Sequence, residues 1–189
     1  MSDNTTFIFM QADGVESLID VMAGKIWTLI NDKEIADPLM VGIRTGGVWL
    51  AERLHQELGL RDPLGTLDIS FYRDDFTRIG MNPEVHPSDL PIPVDDRHII
   101  LVDDVLHTGR TIRAALNEIF DYGRPASITL ATLVDRSGRE LPIQPDVTGL
   151  HPSLDPDQHI TLIGPDPLGL ILGAKTNRTS RGDEQDKDV

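Results

Sequence analysis

The chain has 189 residues and no cysteine, which excludes disulfide bonds, thiol catalysis and cysteine-ligated zinc. Aromatic residues make up only 5% of it, and no apolar run is long enough to cross a bilayer, so we expect no membrane segment. The amino terminus has no basic stretch followed by an apolar one. We therefore expect no secretory signal and a cytoplasmic location.

Basic residues are scarce, with 17 Lys and Arg against 31 Asp and Glu and a net charge of −14. Such a charge repels nucleic acids and anionic membranes unless a local basic patch overrides it. The length and the hydrophobic content of 39% fit one domain with a sizeable core. We expect that domain to span residues 1–175, followed by a polar, disordered tail over residues 176–189.

The order of the apolar segments predicts an α/β fold. Apolar residues recur at helical spacing over residues 14–31, 48–58 and 111–122. Strands are predicted in the apolar runs at residues 5–10, 39–43, 67–72, 98–102 and 127–134, and two shorter apolar runs follow at 160–163 and 168–172. Strands that alternate with helices indicate a mainly parallel sheet, whose ligands bind beyond the carboxyl ends of the strands.

The most informative segment is residues 98–111, where an apolar run ends in Asp103 and Asp104 and a short loop leads into a helix. Gly109 in that loop allows the backbone to approach a phosphate closely. The amides of the first helical turn and the helix dipole favour an anion there. The segment predicts a site for a phosphorylated sugar, with the two carboxylates beside ribose hydroxyls or Mg²⁺. The alternative is an ordinary strand–turn–helix with an acidic strand end.

This segment resembles the phosphoribosyl-pyrophosphate (PRPP) motif of type I phosphoribosyltransferases, in which an apolar strand, two acidic residues and a TG-x-T/S loop form the signature. The resemblance implies the type I phosphoribosyltransferase fold: a central, mainly parallel sheet flanked by helices, with a small hood and a flexible loop. It implies that Mg²⁺ is the cofactor, and that Asp103 and Asp104 are catalytic residues and metal ligands. The residues implied to bind PRPP through this motif are Val105, Leu106, His107, Thr108, Gly109, Arg110 and Thr111.

A second glycine-containing loop, residues 44–47, follows the strand predicted at residues 39–43. Because both loops follow strands of one parallel sheet, they fall on the same edge. We predict that Arg44 is catalytic and that Thr45 and Gly46 bind pyrophosphate with it. The alternative for this loop alone is a plain strand–helix turn.

The segment from residue 73 to residue 96 has little periodicity and is long for a connection inside one domain. Such connections are usually functional or disordered. We predict that Tyr72, Arg73, Asp74 and Asp75 open a flexible loop that closes over the site. A solvated charge cluster is the rival interpretation of the two aspartates.

Over most of its length the chain resembles the bifunctional pyrimidine operon regulator/uracil phosphoribosyltransferase (PyrR) family. The matching segments are residues 41–45, 67–69, 72–75, 91–94, the PRPP motif through Arg113, 123–128, 133–136 and 139–142. The resemblance implies transfer of the phosphoribosyl group from PRPP to uracil, giving UMP and pyrophosphate. It also implies that Val134, Asp135 and Arg136 help to form the uracil pocket. Asp135 and Arg136 are equally compatible with a structural ion pair.

The family has a second activity, because some members bind the leader RNA of the pyrimidine operon with UMP or UTP as co-effector. The sequence departs from that pattern, since the predicted first helix and the region after Pro142 are acidic, and RNA binding needs a basic surface. It also has Gly46 where many relatives have Arg, which weakens pyrophosphate contacts or requires another arginine.

Three hypotheses follow: a uracil phosphoribosyltransferase, an RNA-binding regulator that senses nucleotides, and a weakly active regulatory protein that binds PRPP and UMP. The net charge favours the first over the second. The resemblance also implies a homo-oligomer, a dimer or a tetramer. His107 is predicted to be a solvated loop residue, because metal and positioning suffice for the reaction.

Overall fold

The computed structural model describes residues 4–69 and 87–175. Its elements are, in chain order, β1 (Asn4–Met10), α1 (Ala12–Asp32), β2 (Leu39–Ile43), α2 (Gly46–Glu57), β3 (Gly65–Leu67), β4 (His98–Leu106), α3 (Arg110–Tyr122), β5 (Ser127–Asp135), β6 (Val147–Leu150), β7 (Gln158–Ile163) and β8 (Gly169–Lys175).

The main sheet has five strands in the order β3-β2-β4-β5-β6, and every neighbouring pair is parallel. In the centre, β2 pairs with β4 in a register that aligns Gly42 with Val102. β2 ends at Ile43, one residue after this pair, and β4 continues to Leu106. Because the strands are parallel, the loops that follow them leave the sheet at the same edge. This arrangement confirms the predicted α/β fold with a mainly parallel sheet.

A second sheet of three antiparallel strands has the order β1-β8-β7. It joins the start of the described chain to its end, because β1 pairs with β8 from Asn4↔Lys175 to Met10↔Leu170. The two short apolar runs near the carboxyl end lie in β7 and β8. We identify this small sheet with the expected hood.

Two layers of apolar side chains hold the helices on opposite faces of the main sheet. Along β4, Ile100 and Val102 pack in one cluster with α1 and α2, while Ile99 and Leu101 pack in another with α3. Side chains alternate along a strand, and a strand covered on both faces is apolar throughout. The run 98–102 therefore reads as continuous hydrophobic sequence because it lies in the middle of a three-layer structure.

The observed boundaries correct the predictions around the site. β4 continues to Leu106 instead of ending at residue 102, because its pairing with β5 continues through Leu106↔Asp135. Asp103 and Asp104 are thus part of the strand. α2 begins at Gly46, two residues before the predicted start.

Two strand predictions are also corrected. A strand was predicted over residues 67–72, but β3 is Gly65–Leu67 and residues 68 and 69 form no strand, while residues 70–72 lie outside the described residues. β6 was not predicted at all. β3 and β6 are short edge strands, too short for an apolar period to appear. Tyr72, Arg73, Asp74 and Asp75, and the tail from residue 176, lie outside the described residues.

Candidate active site

The two acidic residues of the PRPP motif point to opposite faces of the sheet. Asp103 is 1% exposed, and its Oδ1 accepts a hydrogen bond of 3.1 Å from the backbone N of Asp104. Strand alternation puts Asp103 on the α3 face. The carboxyl group of Asp104 lies instead against the start of α2, since a Cβ added at Gly46 would be 2.7 Å from Asp104 Cγ. Of these two aspartates, only Asp104 therefore faces the loop of residues 44–47.

The predicted pyrophosphate loop, residues 44–46, lies beside Asp104. Arg44 is held by two contacts to β3: its backbone N donates to Leu67 O at 2.9 Å, and its Nη2 donates to Thr66 Oγ1 at 3.3 Å. The Arg44–Thr45 peptide is cis. Gly46, the first residue of α2, has no side chain, and this allows the carboxyl group of Asp104 to approach the helix terminus.

The predicted phosphate loop turns sharply before α3. Gly109 is the N-cap residue of that helix with φ of 92°, a left-handed conformation that glycine adopts without strain. The side chain of Thr108 accepts a hydrogen bond of 3.3 Å from the backbone N of Arg110. The N-cap residue itself, Gly109, has no side chain to cap the other amides of the first turn of α3. The amino terminus of α3 therefore offers backbone amides and a positive dipole end to an anion.

Not every residue of the motif reaches the surface. Leu106 is 1% exposed and packs with α3, so only its backbone is available, and its carbonyl accepts a hydrogen bond of 2.9 Å from Arg136 N. Val134 is also fully buried. Of the three residues predicted for the uracil pocket, only Asp135 and Arg136 have partly exposed side chains.

Residues 135–141 wrap around the phosphate loop, which sequence reasoning did not foresee. Thr108 O accepts hydrogen bonds from the backbone N of Glu140 at 3.0 Å and of Leu141 at 3.1 Å. The Glu140 carboxylate also forms an ion pair of 2.8 Å with Arg110. The matches of residues 133–136 and 139–142 to the PyrR family were the sequence signals that singled out this segment, and neither of them indicated contact with the phosphate loop.

Asp135 does not pair with Arg136. Its Oδ1 accepts a hydrogen bond from Arg139 Nη2, and its Oδ2 lies 3.2 Å from His151 Nδ1. These three side chains line a groove of about 600 Å³, which is also lined by Lys25 of α1. The ion pair considered for Asp135 is thus formed with a residue four positions along the chain.

His107 lies over the turn at Gly138, where an added Cβ would be 2.6 Å from His107 Nε2. Burial lowers the pKa of His107, and the positive charges of Arg136 and Arg139 lower it further, while Glu140 opposes them. The imidazole is therefore biased towards its neutral form near pH 7.

The donor set at this edge suits a magnesium ion that arrives with its substrate. Among the described residues, no group of three His, Asp or Glu side chains could hold a metal ion alone. Mg²⁺ usually keeps several waters and binds one or two carboxylates together with substrate phosphates. Asp104, beside the start of α2 and in the strand that leads to the loop before α3, fits that role.

A parallel sheet with a glycine-containing loop after each of two neighbouring strands and a carboxylate between these loops is consistent with the phosphoribosyltransferase fold. The chain matches the phosphoribosyl transferase domain family over residues 14–174. It is 62% identical over 160 residues to the bifunctional protein PyrR of Nitrosococcus oceani, covering 82% of this chain and 90% of that one. It is 57% identical over 153 residues to the protein of the same name from Pseudomonas aeruginosa, covering 81% and 90%. The chain therefore belongs to the PyrR family of phosphoribosyltransferases.

Solved structures show the same fold in more distant proteins. The hypoxanthine phosphoribosyltransferase of Trypanosoma cruzi has a TM-score of 0.66 at 19% identity, covering 90% of this chain and 97% of its own. A hypoxanthine-guanine-xanthine phosphoribosyltransferase has a TM-score of 0.57 at 21% identity and covers 77% of each chain. In the described part of this chain, no helix is long and apolar enough to cross a membrane.

Proposed function

We propose that the chain transfers the phosphoribosyl group of PRPP to uracil with Mg²⁺, releasing UMP and pyrophosphate. The observation that carries this proposal is the position of the Asp104 carboxyl group against the first residue of α2, while β4 leads on into the phosphate loop. One carboxylate thus stands between two loops that each suit a phosphate end of PRPP.

The proposed roles follow from the position of each group. The 5′-phosphate binds to Thr108, Gly109, Arg110 and Thr111, with the backbone of Val105, Leu106 and His107 forming the approach. Pyrophosphate binds to Arg44, Thr45 and Gly46. Asp104 orients the ribose hydroxyls, and buried Asp103 positions it by accepting the hydrogen bond from its backbone N.

The chemistry needs positioning rather than a covalent nucleophile. A nitrogen of the base displaces pyrophosphate from C1 of the ribose through a transition state with oxocarbenium character. The two loops hold both ends of PRPP, which converts an encounter of two molecules into an oriented reaction. Mg²⁺, when bound, neutralises the leaving pyrophosphate as a Lewis acid. Asp104 fixes the ribose between the loops and stabilises positive charge that develops at its ring.

The base is proposed to lie beside Asp135 and Arg136, where β5 ends at the same edge of the sheet. Val134 supports this position from the core, because its side chain is buried. The lid remains a proposal for Tyr72, Arg73, Asp74 and Asp75 on the family resemblance. UMP and UTP are proposed as further ligands of the same crevice.

The substitution Asp104→Asn tests the assignment. It keeps the shape of the side chain and removes its charge, so we expect kcat to fall roughly 100-fold with an unchanged melting temperature. Asp37→Asn is the matched control, because Asp37 is exposed and precedes β2 at the opposite edge of the sheet. Wild-type turnover by Asp104→Asn would remove this residue from the site.

Control of pyrimidine genes through leader RNA is the second candidate, favoured by the name "bifunctional" that the relatives carry. The charge of −14 argues against it, since RNA affinity depends on clustered Lys and Arg. Filter binding of leader RNA tests this candidate function. Tight binding that weakens steeply with salt would establish RNA binding. A third candidate, a weakly active sensor, requires binding of PRPP or UMP with almost no turnover.

Three further proposals rest on resemblance and composition. The phosphoribosyltransferase domain spans residues 1–175, with residues 176–189 as a tail. The protein works in the cytoplasm and forms a homo-oligomer, a dimer or a tetramer.

A further inference from the structure

We propose that Arg139 is a positioning residue that fixes the phosphate loop to the base-recognition segment, so that the two halves of a nucleotide bind cooperatively. The inference rests on the proposed function, because it takes residues 107–111 as the phosphate site and Asp135 as part of the base site. Arg139 belongs to neither set.

The guanidinium of Arg139 joins the two segments directly. Nη1 donates to the backbone carbonyl of His107, inside the phosphate loop, and Nη2 donates to Asp135 Oδ1, at the end of β5. Both partners are held in place, since Arg139 is 22% and Asp135 15% exposed in their side chains. The planar fork holds two donor nitrogens at a fixed separation, whereas the three donors of an ammonium group share one nitrogen at the end of a flexible chain.

Backbone contacts flank this bridge and make the two segments one unit. On one side, Arg136 N donates to Leu106 O at 2.9 Å. On the other, Glu140 N and Leu141 N donate to Thr108 O at 3.0 and 3.1 Å. Arg139 lies between these contacts and supplies the side-chain bond to the carbonyl of His107. The Arg139 side chain therefore fixes His107, which lies between Leu106 and Thr108, whose carbonyls are held by backbone amides.

The consequence is a coupling between ligands. A phosphate that orders the loop also orders the carbonyl of His107, and through Arg139 it orders the carboxylate of Asp135. A ligand that rigidifies one segment lowers the entropic cost of binding at the other, and the effect is reciprocal. Ribose 5-phosphate should thus tighten the binding of uracil, and uracil should tighten that of ribose 5-phosphate by the same factor.

Titration calorimetry with ribose 5-phosphate and uracil, each alone and with the other at saturation, measures this factor. We expect the wild type to show a coupling of at least about fivefold. In Arg139→Gln the factor should fall to about one, and Arg139→Lys should recover part of it, because its ammonium keeps the charge but lacks the fixed spacing of the two guanidinium nitrogens. The affinity of Arg139→Gln for ribose 5-phosphate alone should fall much less than the coupling.

Arg124→Gln is the matched control, because its guanidinium also binds backbone carbonyls, those of Phe120 and Gly123, but at the far end of α3. It should keep the wild-type coupling. Melting temperatures of all variants show whether they fold. If Arg139→Gln does not fold, the comparison of Arg139→Lys with the wild type still tests the inference.

Three results would overturn the inference. One is wild-type coupling in Arg139→Gln, which would leave Arg139 a structural ion pair. Another is equal coupling in Arg139→Lys and the wild type, because a two-acceptor fork would then not be needed. The last is a wild type that binds both probes independently. A wild type that binds neither probe would instead contradict the proposed function, which pyrophosphate release tests separately.

Discussion

At the scale of single residues, the site depends on a glycine without a side chain, Gly46, and on a histidine that favours its neutral form, His107. Gly46 leaves room for the carboxyl group of Asp104, and burial together with two neighbouring arginines lowers the pKa of His107, which favours its neutral form. Each feature has a measurable consequence.

Gly46→Ala should disturb the site without unfolding the protein. The new Cβ would lie 2.7 Å from Asp104 Cγ and would push that carboxyl group from the crevice. We expect kcat/KM to fall by about tenfold or more, as misplacement of a positioning group does. Gly24→Ala is the control, because an added Cβ there meets nothing within 4 Å, and alanine in a helix should raise stability by about 0.5–1 kcal/mol. Equal activity in both variants would contradict the proposed role of Gly46.

His107→Gln should flatten the pH dependence of stability below neutral pH. The pKa of His107 in the folded state lies below its ordinary value of 6.5, through burial and then the charges of Arg136 and Arg139. The unfolded chain therefore binds its proton first as the pH falls through 6.5, and stability is lost down to the lowered pKa. Urea unfolding at pH 7.5 and pH 5.5 measures this. An unchanged slope in His107→Gln would show that the residue does not contribute.

At the scale of elements, the site depends on how firmly α3 is docked beneath the phosphate loop. Ile112, in the first turn of α3, is 1% exposed and packs in the cluster that contains Leu101 of β4. The helix start, and with it the loop that ends at Gly109, is thus anchored to the central strand.

Ile112→Ala should therefore cost more stability than any exposed change on the same helix. We expect the free energy of unfolding to fall by about 2–5 kcal/mol, as for other buried large-to-small substitutions. Phe120→Ala is the matched control, because Phe120 is 45% exposed on α3 and should cost under about 1 kcal/mol. Chemical denaturation of both variants makes the comparison, and similar losses would show that the helix is not anchored by Ile112.

The sequence predicted the elements whose burial is continuous. β2 and the first half of β4 are apolar on both faces, and α3 has a regular apolar face, so each appears as a clear pattern. The end of β4 could not be predicted, because two aspartates follow Val102 and only the pairing with β5 shows that the strand continues. The parallel sheet itself placed the two loops together, as expected.

The contacts between residues 135–141 and the phosphate loop were beyond sequence reasoning. They are made largely by backbone amides of Glu140 and Leu141, and these groups are the same for almost every residue type. The pairing of Asp135 with Arg139 instead of Arg136 likewise follows from the turn between them. The charge pattern of the sequence alone does not show whether Asp135 pairs with Arg136 or with Arg139.

At the scale of the whole molecule, the distribution of charge matters more than its total. The protein carries a net charge of −14, which repels a polyanion such as PRPP at long range. Four arginines lie in or near the phosphate loop along the chain (Arg110, Arg113, Arg136 and Arg139), but two of them are paired with carboxylates, Arg110 with Glu140 and Arg139 with Asp135. Attraction of a small phosphorylated ligand therefore depends on the backbone amides and the helix dipole at the amino terminus of α3, which act at short range. A long RNA also meets the acidic surface beyond the Debye length of about 8 Å at physiological salt.

Release of pyrophosphate from PRPP and Mg²⁺ with a panel of uracil, orotate, hypoxanthine, guanine and xanthine tests the central claim most directly. The account predicts release with uracil and not with the other bases, and loss of that release in Asp104→Asn. Release with a purine or with orotate would contradict the uracil assignment while keeping the phosphoribosyl mechanism. No release with any base, together with measurable binding of PRPP or UMP, would contradict the enzymatic account and favour a nucleotide sensor.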